Sequence, residues 1–494
     1  MISPAACAAQ TDLVRRKAGK RPEKNGIPAL DESALPHYTK AGRFTREIML
    51  FLLELSEKEQ GLSADHLQPE VCVFPQAANR HCRSRPSLRA KGHGVLFPFS
   101  PRSGAHSMKI SYPVFKSLLA LSLGTFGVCM SEFSMMAVLP EVAGSLAVSI
   151  PEAGHFISAY ALGVCAGAPL TVMTARSRPL RGILLVLMLL FIAGNALTAM
   201  ATHPSLMLAA RFIAGLPHGA YFGVAAIIAD KLVEKAFSVL AVSIVIAGAT
   251  IANLGGVPCS TLLTHLVSWR MAYALVACTG VVVIICVLIW VPKLPGLKHT
   301  GFLEQFRFLG SVQPWLIFLA IVLGNGGMFC WYSYVSPFLT GVSGLEPGKM
   351  TLVMAFAGAG MVLGNSLSGR LSVRFRPAVI AAGMQGVMAV SLLALFLLGT
   401  GLAAALCLLF LCTACLFGIS APQQMLLLQN ARGGEMLGAA MAQVGFNTGN
   451  ALGAFLGGLS IDAGFGYAGT ACLGAAGAAV GFLLLFFYSR HEGR

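Results

Sequence analysis

Residues 114–139 read VFKSLLALSLGTFGVCMSEFSMMAVL, and this stretch decides the fold. Apart from Lys116 near its start and Glu132 towards its end it carries no charge. About 20 such residues in a helix cross the ~30 Å hydrocarbon core of a bilayer. Eleven stretches of the same kind follow, at 153–174, 183–201, 206–229, 237–260, 271–291, 313–340, 349–370, 378–398, 402–427, 436–460 and 467–488. The basic residues between them alternate. Lys109, Lys116, Arg176, Arg178, Arg181, Lys231, Lys235, Lys293, Lys298, Arg307, Arg370, Arg374, Arg376, Arg432, Arg490 and Arg494 fall on one side, against Arg270 and Lys349 on the other. By the positive-inside rule this places the start of the first helix and the carboxyl terminus in the cytoplasm. The pattern predicts an all-α polytopic membrane protein of twelve transmembrane helices.

Composition agrees. Hydrophobic residues make up 56% of the 494-residue chain and charged residues 11%, with a mean hydropathy of +0.74. Soluble domains carry about 25% charged residues. The net charge of +15 does not indicate a nucleic-acid partner, because in the membrane part it sits in short loops that set orientation and face anionic lipid. Cys129, Cys165, Cys278, Cys286, Cys407, Cys412 and Cys415 lie in apolar runs and read as packing residues. No phosphate-binding loop of the form Gly-x4-Gly-Lys-Ser/Thr and no catalytic constellation stands out, so neither an ATP-driven pump nor an enzyme is indicated. No cofactor or metal is expected.

Residues 1–107 differ in character, with 16 Lys+Arg, 10 Asp+Glu and no long apolar run. Two readings fit them: a disordered extension, or an over-extended reading frame whose natural start is Met108. The rest divides into a six-helix half at 108–292, a cytoplasmic linker at 293–312 and a second six-helix half at 313–494. At an offset of 197, Gly163 meets Gly360, Gly167 meets Gly364, Gly248 meets Gly445, Asn253 meets Asn450 and Gly256 meets Gly453. Such a duplicated unit around a central cavity is a transporter architecture.

Several motifs carry a resemblance. Ser131-Glu132-Phe133 through Leu139-Pro140, Ile157 to Val164 with Gly167-Ala168-Pro169, Arg211-Phe212 with Gly215, Pro217-His218-Gly219-Ala220, and Ala252 to Pro258 resemble, in order, motifs of helices one, two, four and five of the major facilitator superfamily. The branch they resemble is the drug:proton antiporters, and within it the bacterial arabinose-induced efflux group. Gly360 to Asn365 and Ser420-Ala421-Pro422-Gln423-Gln424 agree in the second half. The resemblance covers 108–494. It implies two six-helix halves, alternating access, and proton coupling through the acid of helix one and the arginine of helix four. It also implies that Gly248, Asn253, Gly256 and Pro258 form a close contact between halves. The chain departs from the family between helices two and three, where Arg176 and Arg178 remain but the usual acid is missing. It departs again in helix five, where Cys259-Ser260 replaces Leu-Gly and is expected to tighten the interface between halves.

The candidate mechanistic residues are few. Glu132 lies among apolar neighbours; burial disfavours the charged form of a carboxylate, the property a proton-coupling site needs. The competing reading is a solvated glutamate at the outer mouth. Arg211, Gly215, His218 and Phe222 follow at 4, 3 and 4 residues and share one helix face. Arg211 either tunes Glu132 or snorkels to the interface, and His218 either titrates or bonds a neighbour. Asn325, Phe329 and Trp331, with Gln423, Gln424 and Asn447, are candidates for a substrate cavity; for Trp331 and Tyr334 an interfacial aromatic belt is equally open. The second half has no charge equivalent to Glu132 or Arg211, so coupling is expected in the first. The expected function is secondary transport, with proton-coupled export of a small organic solute first, uptake second, and a non-transporting sensor third. A monomer in the bacterial inner membrane is expected, with the lipid bilayer, protons and solute as its partners.

Overall fold

A computed structural model describes residues 111–174, 178–234, 237–296, 304–431 and 435–491. Residues 1–107 and Arg176, discussed above, lie outside the described residues. The fold is all-helical. In chain order α1 is Tyr112–Ala137, α2 Ile150–Thr174, α3 Leu180–Met200, α4 Pro204–Leu232 and α6 Trp269–Trp290. Between them α5 runs as Ser238–Ile251, a π-turn Ala252–Gly256 and Val257–Leu266. Then α7 is Val312–Tyr332, α8 Met350–Leu371, α9 Pro377–Leu398, α10 Leu402–Asn430, α11 Glu435–Ser460 and α12 Gly466–His491. Eleven apolar lengths long enough to span are found among the described residues; the last, Ala440–His491, is 52 residues long. It is broken at Gly464, whose φ of 86° is non-helical, so it holds both α11 and α12. Twelve spans result.

The helices start where local chemistry permits. Ser149 and Glu152 form a reciprocal cap ahead of α2: the Ser149 N–H donates to the Glu152 carboxylate (2.8 Å), and the Glu152 N–H to the Ser149 hydroxyl (3.3 Å). Ser268 accepts from the Met271 N–H at the start of α6. Pro204 and Pro377 open α4 and α9, where a missing N–H costs nothing.

The helix of the first stretch ends two residues before the apolar run does, and that of the seventh eight residues before. α1 breaks at Val138 (φ −114°, ψ 19°) and resumes as Leu139–Leu146. α7 breaks at Tyr334 (φ −113°, ψ 22°) and resumes as Val335–Gly341. Pro140 and Pro337 lie just past the two breaks, at the same offset of 197, and each ring excludes a continuous helix through the preceding turn. Matching glycines also make matching contacts. A Cβ at Gly167 would strike the Leu216 carbonyl and one at Gly364 the Ala414 carbonyl, joining α2 to α4 and α8 to α10. A Cβ at Gly248 would meet Ser122 and Thr125 of α1; one at Gly445 would meet Phe318 and Ile321 of α7.

The core is divided unevenly. One apolar cluster takes residues from both sets of six helices, among them Phe133, Phe156 and Tyr273 together with Phe329, Trp331 and Leu409. It lies where α1 and α7 end. At the opposite ends of these helices the clusters are separate, Leu118, Leu184 and Ile228 in one, Ile317, Ala381 and Leu426 in the other. The two sets of helices are thus sealed together at one end, the outer one if the expected topology holds, and cored separately at the other.

Candidate functional site

Glu132 is 3% exposed, buried in the shared cluster's margin rather than solvated at a mouth. One carboxylate oxygen accepts from the Asn450 amide of α11 at 2.9 Å. The other lies 3.8 Å from His218 Nδ1 on α4. His218 Nδ1 is also 3.0 Å from the Tyr160 hydroxyl of α2, which reaches the Val128 carbonyl of α1 at the same distance. Its ring stacks on Phe222 and meets Tyr160 edge-on.

Arg211 is fully buried, which removes the snorkelling reading. It makes no ion pair with Glu132 within 4.0 Å. Instead its fork grips the residue before it: Nη1 donates to the Ser131 hydroxyl (3.3 Å) and Nη2 to the Ser131 carbonyl (3.2 Å). The Ser131 hydroxyl donates onward to Asn195 of α3 at 2.6 Å. The guanidinium lies over the Tyr160 ring at 4.3 Å and near that of Tyr273 at 5.4 Å, so cation–π contact covers its flat face. Five helices of the first six, α1, α2, α3, α4 and α6, therefore surround Arg211 and Glu132.

The second six helices hold a neutral counterpart. Asn325 of α7 donates to Gln423 of α10 (3.1 Å), and Gln423 donates to Gln385 of α9 (3.4 Å). Asn325 Oδ1, Gln385 Nε2 and Asn447 Oδ1 are buried without a hydrogen-bond partner. Gln424 is half-buried. Phe329 stands between the sets of helices, 6.4 Å from Phe133 of α1 and 5.3 Å from Phe446 of α11. Trp331 and Tyr334 are fully buried, which rules out a lipid-facing belt for either. Trp331 packs on Phe338, and the Tyr334 hydroxyl donates to the Ala454 carbonyl at 2.7 Å.

The helix-five motif divides its work. Gly248 and Gly256 face α1, the latter against Phe126 and Met130, so they pack within the first six helices and not across. The cross-contact is the Asn253–Leu254 backbone against Gly358 of α8. Pro258 opens the segment after the π-turn. Ser260 is buried, but Cys259 is exposed and so does not tighten any interface. Arg178 is exposed between α2 and α3.

Sequence reasoning missed the roles of Ser131, Tyr160, Asn195, Tyr273 and Gln385. The available signal was a lone amide in an apolar span, which marks Asn195 and Gln385 alike. The hydrogen-bond donor to Glu132 comes from the second six helices, from α11, so the surroundings of this carboxylate are not confined to the first half.

A family model for the Major Facilitator Superfamily matches residues 121–443. The chain belongs to the major facilitator superfamily. It is 44% identical to AraJ of Escherichia coli strain K12, over 71% of this chain and 89% of that one. It is 28% identical, over 77% and 96%, to a Helicobacter pylori strain G27 protein named "Probable sugar efflux transporter". The xylose transporter XylE of E. coli, solved in a partially occluded inward-open conformation, superposes with a TM-score of 0.60 at 15% identity, covering 75% of this chain and 97% of that one. The transporter is thus a multi-pass membrane protein and not an enzyme.

Proposed function

We propose that the protein exports a small organic solute, a sugar or a drug-like molecule, in exchange for protons. The observation that carries this reading is Glu132, a buried carboxylate with no cationic partner within 4.0 Å except the weakly basic His218. Such a group takes a proton when access opens to the acidic side and gives it up on the other. Arg211 positions it through Ser131, and His218 is its nearest titratable neighbour. On the substrate side, Asn325, Gln385 and Asn447 offer unpaired amide atoms to a polar solute, Gln423 bonds the first two, and Phe329 and Gln424 complete the proposed cavity. Trp331 belongs to the outer seal. The halves 108–292 and 313–494 move as units about the linker 293–312, with both termini cytoplasmic, in a monomer of the bacterial inner membrane.

Inside-out vesicles with a pH-sensitive dye test this against a panel of sugars and lipophilic drugs. A solute that drives proton movement in the wild type is expected to drive none in Glu132→Gln, while solute counterflow survives because the amide has the shape of the protonated acid. Import by proton symport would reverse the direction of the pH change. Wild-type proton movement in Glu132→Gln would remove Glu132 from the mechanism.

A further inference from the structure

We infer that Asn450 is the residue through which α11 reads the protonation of Glu132, so that a proton on Glu132 seals the outer end. The inference rests on Glu132 being the proton site.

The two side chains are 318 residues apart in sequence and meet at 2.9 Å, both buried. Asn450 cannot swing away freely. The next residue, Ala451, accepts at its carbonyl from Ser158 of α2 at 3.0 Å. Gly449 and Gly453 on either side lie against the α7 backbone at Gly326, where a Cβ would collide. Asn450 Oδ1 is buried and has no hydrogen-bond partner.

An ionised carboxylate only accepts hydrogen bonds, whereas the acid also donates one. With Glu132 ionised, Asn450 supplies one N–H and its Oδ1 stays unpaired in a buried place, which is costly. With Glu132 protonated, its O–H has Oδ1 as a free acceptor beside the amide it already contacts. His218 Nδ1 does not compete as an acceptor: the Tyr160 hydroxyl gives its one proton to the Val128 carbonyl, so towards His218 it accepts, from Nδ1–H. The other titratable or charged groups around Glu132 are Cys129 on α1, Tyr160 on α2, and Arg211 and His218 on α4; Tyr273 of α6 faces Arg211. The second six helices offer only neutral groups here, Asn450 from α11 and, around neighbouring Phe133, Phe329 and Tyr332 of α7 and Phe417 of α10. Protonation therefore adds a contact between the two sets of helices at the sealed end, and by reciprocity the sealed form favours the proton.

The test uses the full-length protein in lipid nanodiscs, spin-labelled through non-canonical residues at Gly144 and Glu346, both exposed on outer connections. In the wild type the short-distance population is expected to grow as pH falls. Glu132→Gln should hold the short distance at every pH. Asn450→Leu should reduce the pH-driven change in the long-to-short ratio by about tenfold, the scale of one buried hydrogen bond. Asn450→Asp keeps the side-chain size and puts a second carboxylate beside the first, so the sealing transition should move to higher pH. Wild-type pH response in both Asn450 variants, with none in Glu132→Gln, would overturn this inference and leave the proton site standing. A wild-type pH response in Glu132→Gln would bring down both.

Discussion

A guanidinium buried in a membrane protein persists when its donors and its flat face are both used. Arg211 uses its two terminal nitrogens on Ser131 and its face on Tyr160, while Nε has no hydrogen-bond partner. Lysine supplies the charge but neither the fork nor the plane. Arg211→Lys is therefore expected to be nearly as damaging as Arg211→Ala, each lowering the initial transport rate by about a hundredfold, of the order of one or two charge-assisted hydrogen bonds. Reconstituted transport rates check this; a lysine variant within about threefold of wild type would show that charge alone suffices. Much of this was open to sequence reading. A carboxylate, an arginine and a histidine in apolar spans stand out by their cost alone. What they bond to was not readable, because Ser131, Tyr160 and Asn450 become partners only when four helices pack.

Among the helices, small residues set the spacing. Gly167 and Gly364 each admit a neighbouring carbonyl where a methyl group would collide. Gly167→Ala and Gly364→Ala are each expected to destabilise the protein by about 1–3 kcal/mol, the usual cost of overpacking. Gly383 sits inside α9 with open space around it. Gly383→Ala is expected to stabilise by about 0.5–1 kcal/mol, since alanine is the better helix former. Thermal unfolding in detergent separates the two outcomes; equal shifts for all three would show that the helix contacts do not govern stability. The breaks after α1 and α7 also belong to this scale. Pro140 and Pro337 were visible in the sequence; the first apolar run stops at Pro140, but the seventh continues past Pro337, so there hydropathy alone joined what the backbone separates.

At the scale of the whole chain, the uneven core implies a molecule sealed at one end. Tyr334 is a keystone of that seal: its hydroxyl bonds Ala454, and its ring fills space left by Gly154, Gly457 and Gly458. Tyr334→Ala is expected to cost the sealed form about 3–5 kcal/mol, as for other buried aromatic truncations. Spin-label distances between Gly144 and Glu346 should then lengthen at every pH; unchanged distances would show that the seal lies elsewhere. For topology, reporters fused after Lys298 and after Arg494 should register cytoplasm, and one inserted at Glu346 the opposite side. A reversed signal at any of the three would overturn the assignment.

Length and apolarity of each span, the alternation of basic loops and the 197-residue repeat are properties of the chain read in order, so the amino-acid sequence by itself determined a twelve-helix transporter of two related halves. In hydrocarbon a continuous apolar run of about 20 residues satisfies its own backbone as a helix, which makes this much local. The pairing of Glu132 with Asn450, the grip of Arg211 on Ser131 and the burial of Trp331 and Tyr334 were decided by tertiary structure alone. Each depends on which face of one helix meets which face of another, and a single helix's hydropathy carries no record of its partner.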